Sequence, residues 1–303
     1  MKFEGIYPPI VTPFTKDGQI DRSTFATIIE FLLDAKVHGI IVGGTTGEYF
    51  TQTPQERIDL ATFTKQVIGS RCPLIVSTGA TRTEDAVHYA KAARELGADA
   101  IMITSPPYAL PTQSENARHA LAIDKAADLP IMLYNYPARA GVAMGHEYFR
   151  EVSRSENVIA IKEASGDMSA IHNLASNFPN IELSCGWDDQ AIEFFAWGAK
   201  SWVCAGANFL PHEHVALYEA CVIQRDFDKG RAIMKALLPM LAIFDAGKLI
   251  QSVKYGCKLA GVEAGTVRAP LGPLTSEEEK HLQRVYMTLK GAFAHIMSRA
   301  SNE

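Results

Sequence analysis

VIAIKEA, at residues 158–164, is an apolar run that carries one lysine, Lys162, near its end. A strand with one face in water alternates apolar and polar residues. A continuous apolar run is instead typical of a parallel strand that helices cover on both faces. Similar runs recur along the chain as IIVGG, PLIVSTG, AIMITS, PIMLYN and WVCAG. The sequence therefore predicts a parallel sheet between layers of helix.

Eight such runs, separated by longer amphipathic segments, predict an α/β fold of the (β/α)8 or TIM-barrel type. The segments between the runs carry helix signals, such as Thr53 as N-cap, Pro54 at the first helical position and Glu56 in the first turn. The predicted strands are residues 5–14, 39–44, 73–79, 100–105, 130–134, 158–164, 181–185 and 201–205.

The chain after the eighth run contains no further clear strand. Its apolar residues recur every three or four positions, as in helices that bury one face. The sequence RAPLGPL, at residues 268–274, separates the last of these helices from the others. We expect residues 1–210 to form a barrel with the catalytic site, and residues 211–303 to form a C-terminal helical extension packed on the barrel.

The composition argues against several classes of function. The 303 residues include 34 acidic residues and 29 lysines and arginines, a net charge of -5, without the basic clusters that nucleic-acid binding requires. No apolar run approaches the roughly 18 residues of a membrane span, and the N-terminus lacks the pattern of a signal peptide. We expect a cytoplasmic protein that binds neither nucleic acid nor membrane.

The sequence does not predict a metal site. The five cysteines are too scattered for a disulfide framework or a C-x-x-C pair. His212 and His214 are two positions apart, which does not place both imidazoles on one helix face.

Lys162 is the strongest candidate for chemistry, because reactive groups of a parallel barrel lie where its strands end. An ammonium that follows four apolar residues loses solvation, which lowers its pKa, and a neutral amine can form a Schiff base with a ketone. The alternative is a structural ion pair with a carboxylate across the barrel. Glu163 is an unsuitable partner because successive strand side chains point to opposite sides. The residues alone leave both interpretations open.

Two further motifs follow predicted strands. GGTTGE, at residues 43–48, offers the hydroxyls of Thr45 and Thr46 to a carboxylate or a proton, or is simply a tight turn; it lacks the lysine and the spacing of a P-loop. YNYPARAG begins with Tyr134, a possible proton shuttle, and contains Arg139, which can hold a carboxylate. Tyr108 adds another phenol after the fourth strand. Taken separately, such residues are more often packing or surface residues.

Together, GGTTGE, SPPY, YNYPARAG, IKEASGD and RAPLGPL resemble the dihydrodipicolinate synthase and N-acetylneuraminate lyase superfamily of class I Schiff-base aldolases, in order and approximate spacing. The resemblance covers essentially the whole chain. It implies a TIM barrel, a small-molecule 2-oxo acid as substrate, no metal or organic cofactor, and a homotetramer built as a dimer of dimers.

The resemblance also implies a role for each motif residue. Lys162 would form the Schiff base with pyruvate or a related 2-oxo acid, and Tyr134 would shuttle protons. Thr46 and Tyr108 would complete the proton relay, with Tyr108 reaching across a dimer interface into the neighbouring site. The residues implied in substrate binding are Thr45, Thr46, Gly47 and Arg139.

The second substrate is less constrained. Arg139 matches the arginine that receives the carboxylate of aspartate semialdehyde in dihydrodipicolinate synthases, so condensation of pyruvate with that aldehyde is the leading expectation. Departures such as Tyr49-Phe50 and CGWDD keep a catabolic paralogue open: a 2-keto-3-deoxy sugar-acid aldolase or dehydratase, an N-acetylneuraminate lyase-like aldolase, or a hydroxyproline-pathway deaminase. A non-catalytic 2-oxo-acid sensor is the alternative from another class.

Regulated members of the superfamily bind lysine at a feedback site. We expect weak or absent lysine inhibition here, because unusual residues occupy the corresponding positions: Tyr49, Phe50, Pro54, Arg57 and Pro107.

Overall fold

The computed structural model describes residues 1–300, and the side chains of residues 1–298. Across these residues, eight parallel strands form one sheet. The strands are β1 (Gly5–Ile6), β2 (Ile40–Val42), β3 (Leu74–Ser77), β4 (Ala100–Thr104), β5 (Ile131–Asn135), β6 (Val158–Glu163), β7 (Glu182–Cys185) and β8 (Ser201–Trp202). Strands β2 to β8 pair in chain order, and β1 pairs with β8.

The segment after β1 closes this sheet into a barrel. The backbone N–H of Ile41 in β2 donates to the carbonyl of Pro8 (3.0 Å), and the N–H of Ile10 donates to the carbonyl of Ile41 (2.9 Å). The predicted TIM-barrel class is therefore confirmed. The predicted first strand, residues 5–14, is too long. Its regular pairing ends at Ile6, because Pro8 and the next residue, also a proline, have no N–H to donate to a ladder.

Helices lie between successive strands and continue after β8. Thr53 is the N-cap of the second helix, as predicted, and it forms a capping box with Glu56, each side chain accepting the other's backbone N–H. The helices are α1 (Arg22–Asp34), α2 (Pro54–Ile68), α3 (Thr83–Glu95), α4 (Gln113–Ala127), α5 (Pro137–Ala140), α6 (His146–Val152), α7 (Met168–Asn177), α8 (Ala191–Ala196), α9 (Pro211–Tyr218), α10 (Phe227–Asp245), α11 (Leu249–Leu259) and α12 (Ser276–Ala300).

The strand side chains divide between two apolar cores. Ile161 belongs to the larger core, between the strands and the helices. Ala160 and Ala164 belong to a smaller core inside the barrel, together with Tyr134. Because side chains alternate along a strand, Lys162 points to the barrel interior with Ala160. The carboxyl end of the interior is therefore the place where polar groups appear.

The helices after β8 agree with the predicted C-terminal extension. Tyr218 of α9 packs its ring against His38 (centroids 5.1 Å apart) and Phe195 (6.1 Å), so α9 lies directly on the barrel. The division of the chain at residue 210 stays a prediction. Among the described helices, none is long and apolar enough to cross a membrane.

Candidate active site

Lys162 and Tyr134 are neighbours in adjacent strands. The register of β5 and β6 pairs the two residues directly, and both side chains point into the barrel. The Lys162 Nζ lies 4.0 Å from the centroid of the Tyr134 ring. Both residues are buried, with 7% of each exposed. An amine and a phenol therefore meet at one point of the barrel rim.

The environment of Lys162 favours its neutral form. Burial lowers the pKa of Lys162 from 10.5 to about 8, and the carboxylate of Asp188 partly opposes this effect. Across residues 1–298, no carboxylate oxygen lies within the 4.0 Å of an ion pair with its Nζ. Glu163 instead accepts hydrogen bonds from Asn135 Nδ2 (2.8 Å) and the Ser165 N–H (2.7 Å). The geometry therefore favours a reactive amine over a structural ion pair.

The Thr45-Thr46 pair lies on a short 3-10 turn, Thr45–Gly47, which follows β2. Both threonines line the cavity that contains Lys162 and Tyr134. Gly47 does not line this cavity. A Cβ at Gly47 would lie 2.9 Å from the carbonyl oxygen of Ile10, so the close approach of two backbone segments requires glycine there.

Arg139 brings a positive charge to the same cavity. It lies on α5, one turn after β5, and its guanidinium carbon is 5.6 Å from the centroid of the Tyr136 ring. The Tyr136 ring in turn stacks on Tyr134, with centroids 5.9 Å apart. Arg139 has no carboxylate partner within the described side chains. A ligand carboxylate therefore has an unpaired guanidinium available to it.

The cavity has a volume of about 290 Å³, in the range of small-molecule sites. Its amine, phenol, threonine turn and guanidinium suit a small anionic carbonyl compound. Its outer wall comes from the end of α10 and the start of α11. These wall residues are Leu241, Phe244, Asp245, Gly247, Lys248 and Leu249.

Comparison with known proteins shows the family of this chain. The profile of the dihydrodipicolinate synthetase family matches residues 2–289. The chain belongs to this family. It is 35% identical to the 4-hydroxy-tetrahydrodipicolinate synthase of Exiguobacterium sibiricum over 290 residues, which are 95% of this chain and 99% of that protein. The resemblance inferred from the motifs is thus confirmed.

Solved structures of the dihydrodipicolinate synthetase family have the same fold. The 4-hydroxy-tetrahydrodipicolinate synthase from Methylacidiphilum fumariolicum SolV superposes with a TM-score of 0.93 at 29% identity, covering 98% of this chain and 99% of that one. Dihydrodipicolinate synthase from Aquifex aeolicus gives a TM-score of 0.90 at 29% identity, covering 95% and 98%. The barrel and the helices after it are therefore common to these proteins.

Tyr108 lies apart from the other predicted site residues. It is 92% exposed, has a φ of 72°, and does not line the Lys162 cavity. A second cavity of about 460 Å³ adjoins the first and shares Thr45, Tyr134 and Arg139 with it. Within one chain, the structure therefore brings together all the predicted catalytic residues except Tyr108.

Asp188 also lies at the candidate site, although the sequence analysis did not select it. It lines the cavity, and one of its carboxylate oxygens accepts a hydrogen bond from Trp202 Nε1 (2.8 Å). Desolvation raises the pKa of Asp188 to about 6. Tyr136 and Trp187 also line the cavity, with ring centroids 6.2 Å apart. The sequence feature that could have identified Asp188 is the pair of acidic residues in CGWDD, which directly follows a predicted strand.

Proposed function

We propose that this protein is a Schiff-base-forming lyase that condenses pyruvate with aspartate semialdehyde, as a 4-hydroxy-tetrahydrodipicolinate synthase. The proposal depends above all on one observation: a buried lysine with a lowered pKa lies against a buried tyrosine in a cavity with an unpaired arginine. The names of its relatives support the same activity. We expect it to act in the cytoplasm, with neither a metal nor an organic cofactor.

The first chemical steps follow from the neutral amine of Lys162. Its nitrogen adds to the keto carbon of pyruvate, and loss of water from the carbinolamine leaves an iminium. The positive iminium acidifies the adjacent methyl group, so loss of one proton gives an enamine. The enamine carbon then attacks the carbonyl carbon of the aldehyde, forming the new carbon–carbon bond. Hydrolysis or amine exchange at the iminium carbon frees Lys162.

Tyr134 is suited to move protons during these steps. Burial raises the pKa of its phenol, so Tyr134 stays protonated at neutral pH and can donate to a departing hydroxide. Thr46 lines the same cavity and is the next hydroxyl of the proposed relay. Thr45 and Thr46 also offer hydroxyls to the carboxylate of the 2-oxo acid.

Tyr108 completes this relay only if a second copy of the chain supplies it. Its exposure is consistent with a side chain that another protomer buries, and the second cavity beside Thr45 and Tyr134 provides room for a phenol. We therefore propose a dimer in which each chain contributes its Tyr108 to the active site of the other chain. Two such dimers would assemble into a homotetramer. A cross-linked dimer formed by the variant Tyr108→Cys would support this arrangement, and a monomer with full activity would contradict it.

A second candidate substrate is a hydroxylated 2-oxo acid, as for a 2-keto-3-deoxy sugar-acid aldolase or dehydratase. Asp188 favours this reading, because a carboxyl group that lines the cavity can bind hydroxyl groups of a longer substrate. Arg139 favours a carboxylate at the distal end instead. The two substrates therefore depend on different residues of the same cavity.

Borohydride trapping tests the proposal. Wild-type protein with pyruvate should gain the mass of a reduced adduct on the Lys162 peptide, and Lys162→Ala should not. No adduct with any 2-oxo acid would contradict the Schiff-base lyase. A panel of aldehydes and hydroxylated 2-oxo acids, analysed by product mass, then identifies the second substrate. An adduct without turnover of any member would indicate a 2-oxo-acid sensor.

A further inference from the structure

Glu48 has an unusual backbone conformation directly after the Thr45–Gly47 turn. Its φ is 60° and its ψ is 36°, in the left-handed region that residues other than glycine rarely adopt. Its side chain is fully buried, although a charged group loses hydration there. Such a residue persists only where its surroundings fix it, and strained residues of this kind cluster at functional sites.

Two elements far away in the sequence hold the Glu48 carboxylate. The Nζ of Lys254, on α11, lies 2.5 Å from one carboxylate oxygen, and the backbone N–H of Arg268 donates to the other at 3.0 Å. Lys254 also donates to the carbonyl of Thr266 (2.5 Å) and is itself buried. The charge of Glu48 is thus fixed between α11 and the segment around residues 266–268.

Backbone hydrogen bonds connect Glu48 directly to the turn that contains Thr45 and Thr46. The N–H of Glu48 donates to the carbonyl of Thr45 (3.0 Å), and the N–H of Gly47 donates to the carbonyl of Gly44 (3.1 Å). The carbonyl of Glu48 accepts from both the N–H (2.8 Å) and the hydroxyl (2.9 Å) of Thr51. A rotation of Glu48 would therefore move the turn that carries Thr45 and Thr46.

We propose that Glu48 is a positioning residue for Thr45 and Thr46, and that Lys254 holds it in place from the C-terminal helices. Glu48 itself does not line the cavity, so it acts through the two threonines. A buried ion pair on its own is weak evidence for a contribution to stability, so its role here is to fix a geometry. The inference rests on the proposed function, because the positioned hydroxyls matter only if the site turns over a 2-oxo acid.

The test compares Glu48→Gln with a matched control, Glu213→Gln. Glu213 is also a buried glutamate, 1% exposed, with a lysine partner at 2.5 Å, Lys290. Glu213 lies on α9, away from the threonine turn, and lines no part of the cavity. Both variants remove a buried carboxylate that pairs with a lysine, and only one of them disturbs the turn. The lysines differ, because the Lys290 side chain is 40% exposed and the Lys254 side chain is 3% exposed, so the double variant described below controls for the buried charge of Lys254.

The measured quantity is kcat divided by the fraction of Lys162 that borohydride traps at completion with saturating pyruvate. This normalisation removes the contribution of unfolded molecules. A displacement of about 1 Å in a catalytic group can reduce the rate about 100-fold. We expect Glu48→Gln to lower this normalised kcat by about 30-fold or more. Glu213→Gln should change it by less than about twofold, even if both variants lose a similar amount of thermal stability.

A normalised kcat in Glu48→Gln equal to that of wild type, or equal losses in both variants, would overturn the positioning role. If Glu48→Gln fails to fold, the double variant Glu48→Gln/Lys254→Met replaces it, because it contains no unpaired buried charge. The double variant should fold and still show the reduced kcat; wild-type kcat in it would contradict the inference. A wild-type protein without adduct or turnover would contradict the proposed function instead.

Discussion

Replacing Lys162 by methionine should stabilise the protein at neutral pH while it abolishes the Schiff base. Burial lowers the pKa of Lys162 from 10.5 to about 8, so the folded protein holds this proton less tightly than the unfolded chain does. At about 1.4 kcal/mol for each pKa unit, this lowering costs about 3 kcal/mol of folding stability below pH 8. Methionine has a similar length and no charge, so Lys162→Met removes this cost.

The sign of the pH dependence follows from the same two pKa values. Between about pH 8 and pH 10.5 the unfolded chain still binds the proton and the folded protein has lost it, so wild-type stability rises with pH. The advantage of Lys162→Met should therefore fall from about 3 kcal/mol at pH 7 to about 1 kcal/mol at pH 10. For a chain of this length, 3 kcal/mol corresponds to an increase in Tm of about 5 °C.

The assay is the Tm of wild type and Lys162→Met at pH 7 and pH 10, at equal protein concentration. Lys91→Met, on the exposed face of α3, is the control and should show no pH-dependent difference from wild type. A Lys162→Met variant that is less stable than wild type at pH 7, or that has the same advantage at both pH values, would refute the reasoning. Either result would mean that burial of the charged Lys162 does not lower the folding stability.

The rate of borohydride trapping with pyruvate should fall below about pH 8, and Asp188→Asn should move this limit to lower pH, since the carboxylate raises the pKa of Lys162. Arg139→Ala should raise KM for a carboxylate-bearing aldehyde about tenfold in steady-state kinetics without reducing the pyruvate adduct. Unchanged turnover would remove the reason to prefer the synthase. Millimolar lysine should change turnover by less than about twofold. Arg57 occupies one of the positions that correspond to the lysine-feedback site, and its buried guanidinium lies 3.7 Å from the centroid of the Tyr89 ring. Its positive charge would repel the ammonium of a lysine bound there.

The sequence predicted the fold well because apolar runs and amphipathic segments alternate along the chain. Continuous apolar runs located all eight strands, and the first was the most overextended, because the prolines after β1 prevent regular pairing. The predictions for β3 (residues 73–79) and β8 (residues 201–205) also ran past the observed strands, Leu74–Ser77 and Ser201–Trp202. The candidate site was predictable where a residue lies near the carboxyl end of a strand, as Lys162 does in β6 and Tyr134 does in β5. The outer wall of the cavity, with Asp245 and Lys248, was not predictable, because it depends on how α10 packs across the barrel rim. Tertiary packing of this kind leaves no local pattern in the sequence.

The structure distinguishes two buried lysines that the sequence could not. Lys162 and Lys254 are both almost fully buried, and burial lowers the pKa of both. Lys254 has the carboxylate of Glu48 at 2.5 Å, which opposes this effect and favours its charged form. Among the described side chains, Lys162 has no such ion-pair partner, and it faces an open cavity with Tyr134 beside it. The difference between a structural cation and the proposed nucleophile therefore lies in the position of one carboxylate, and that carboxylate belongs to Glu48, the proposed positioning residue of the threonine turn.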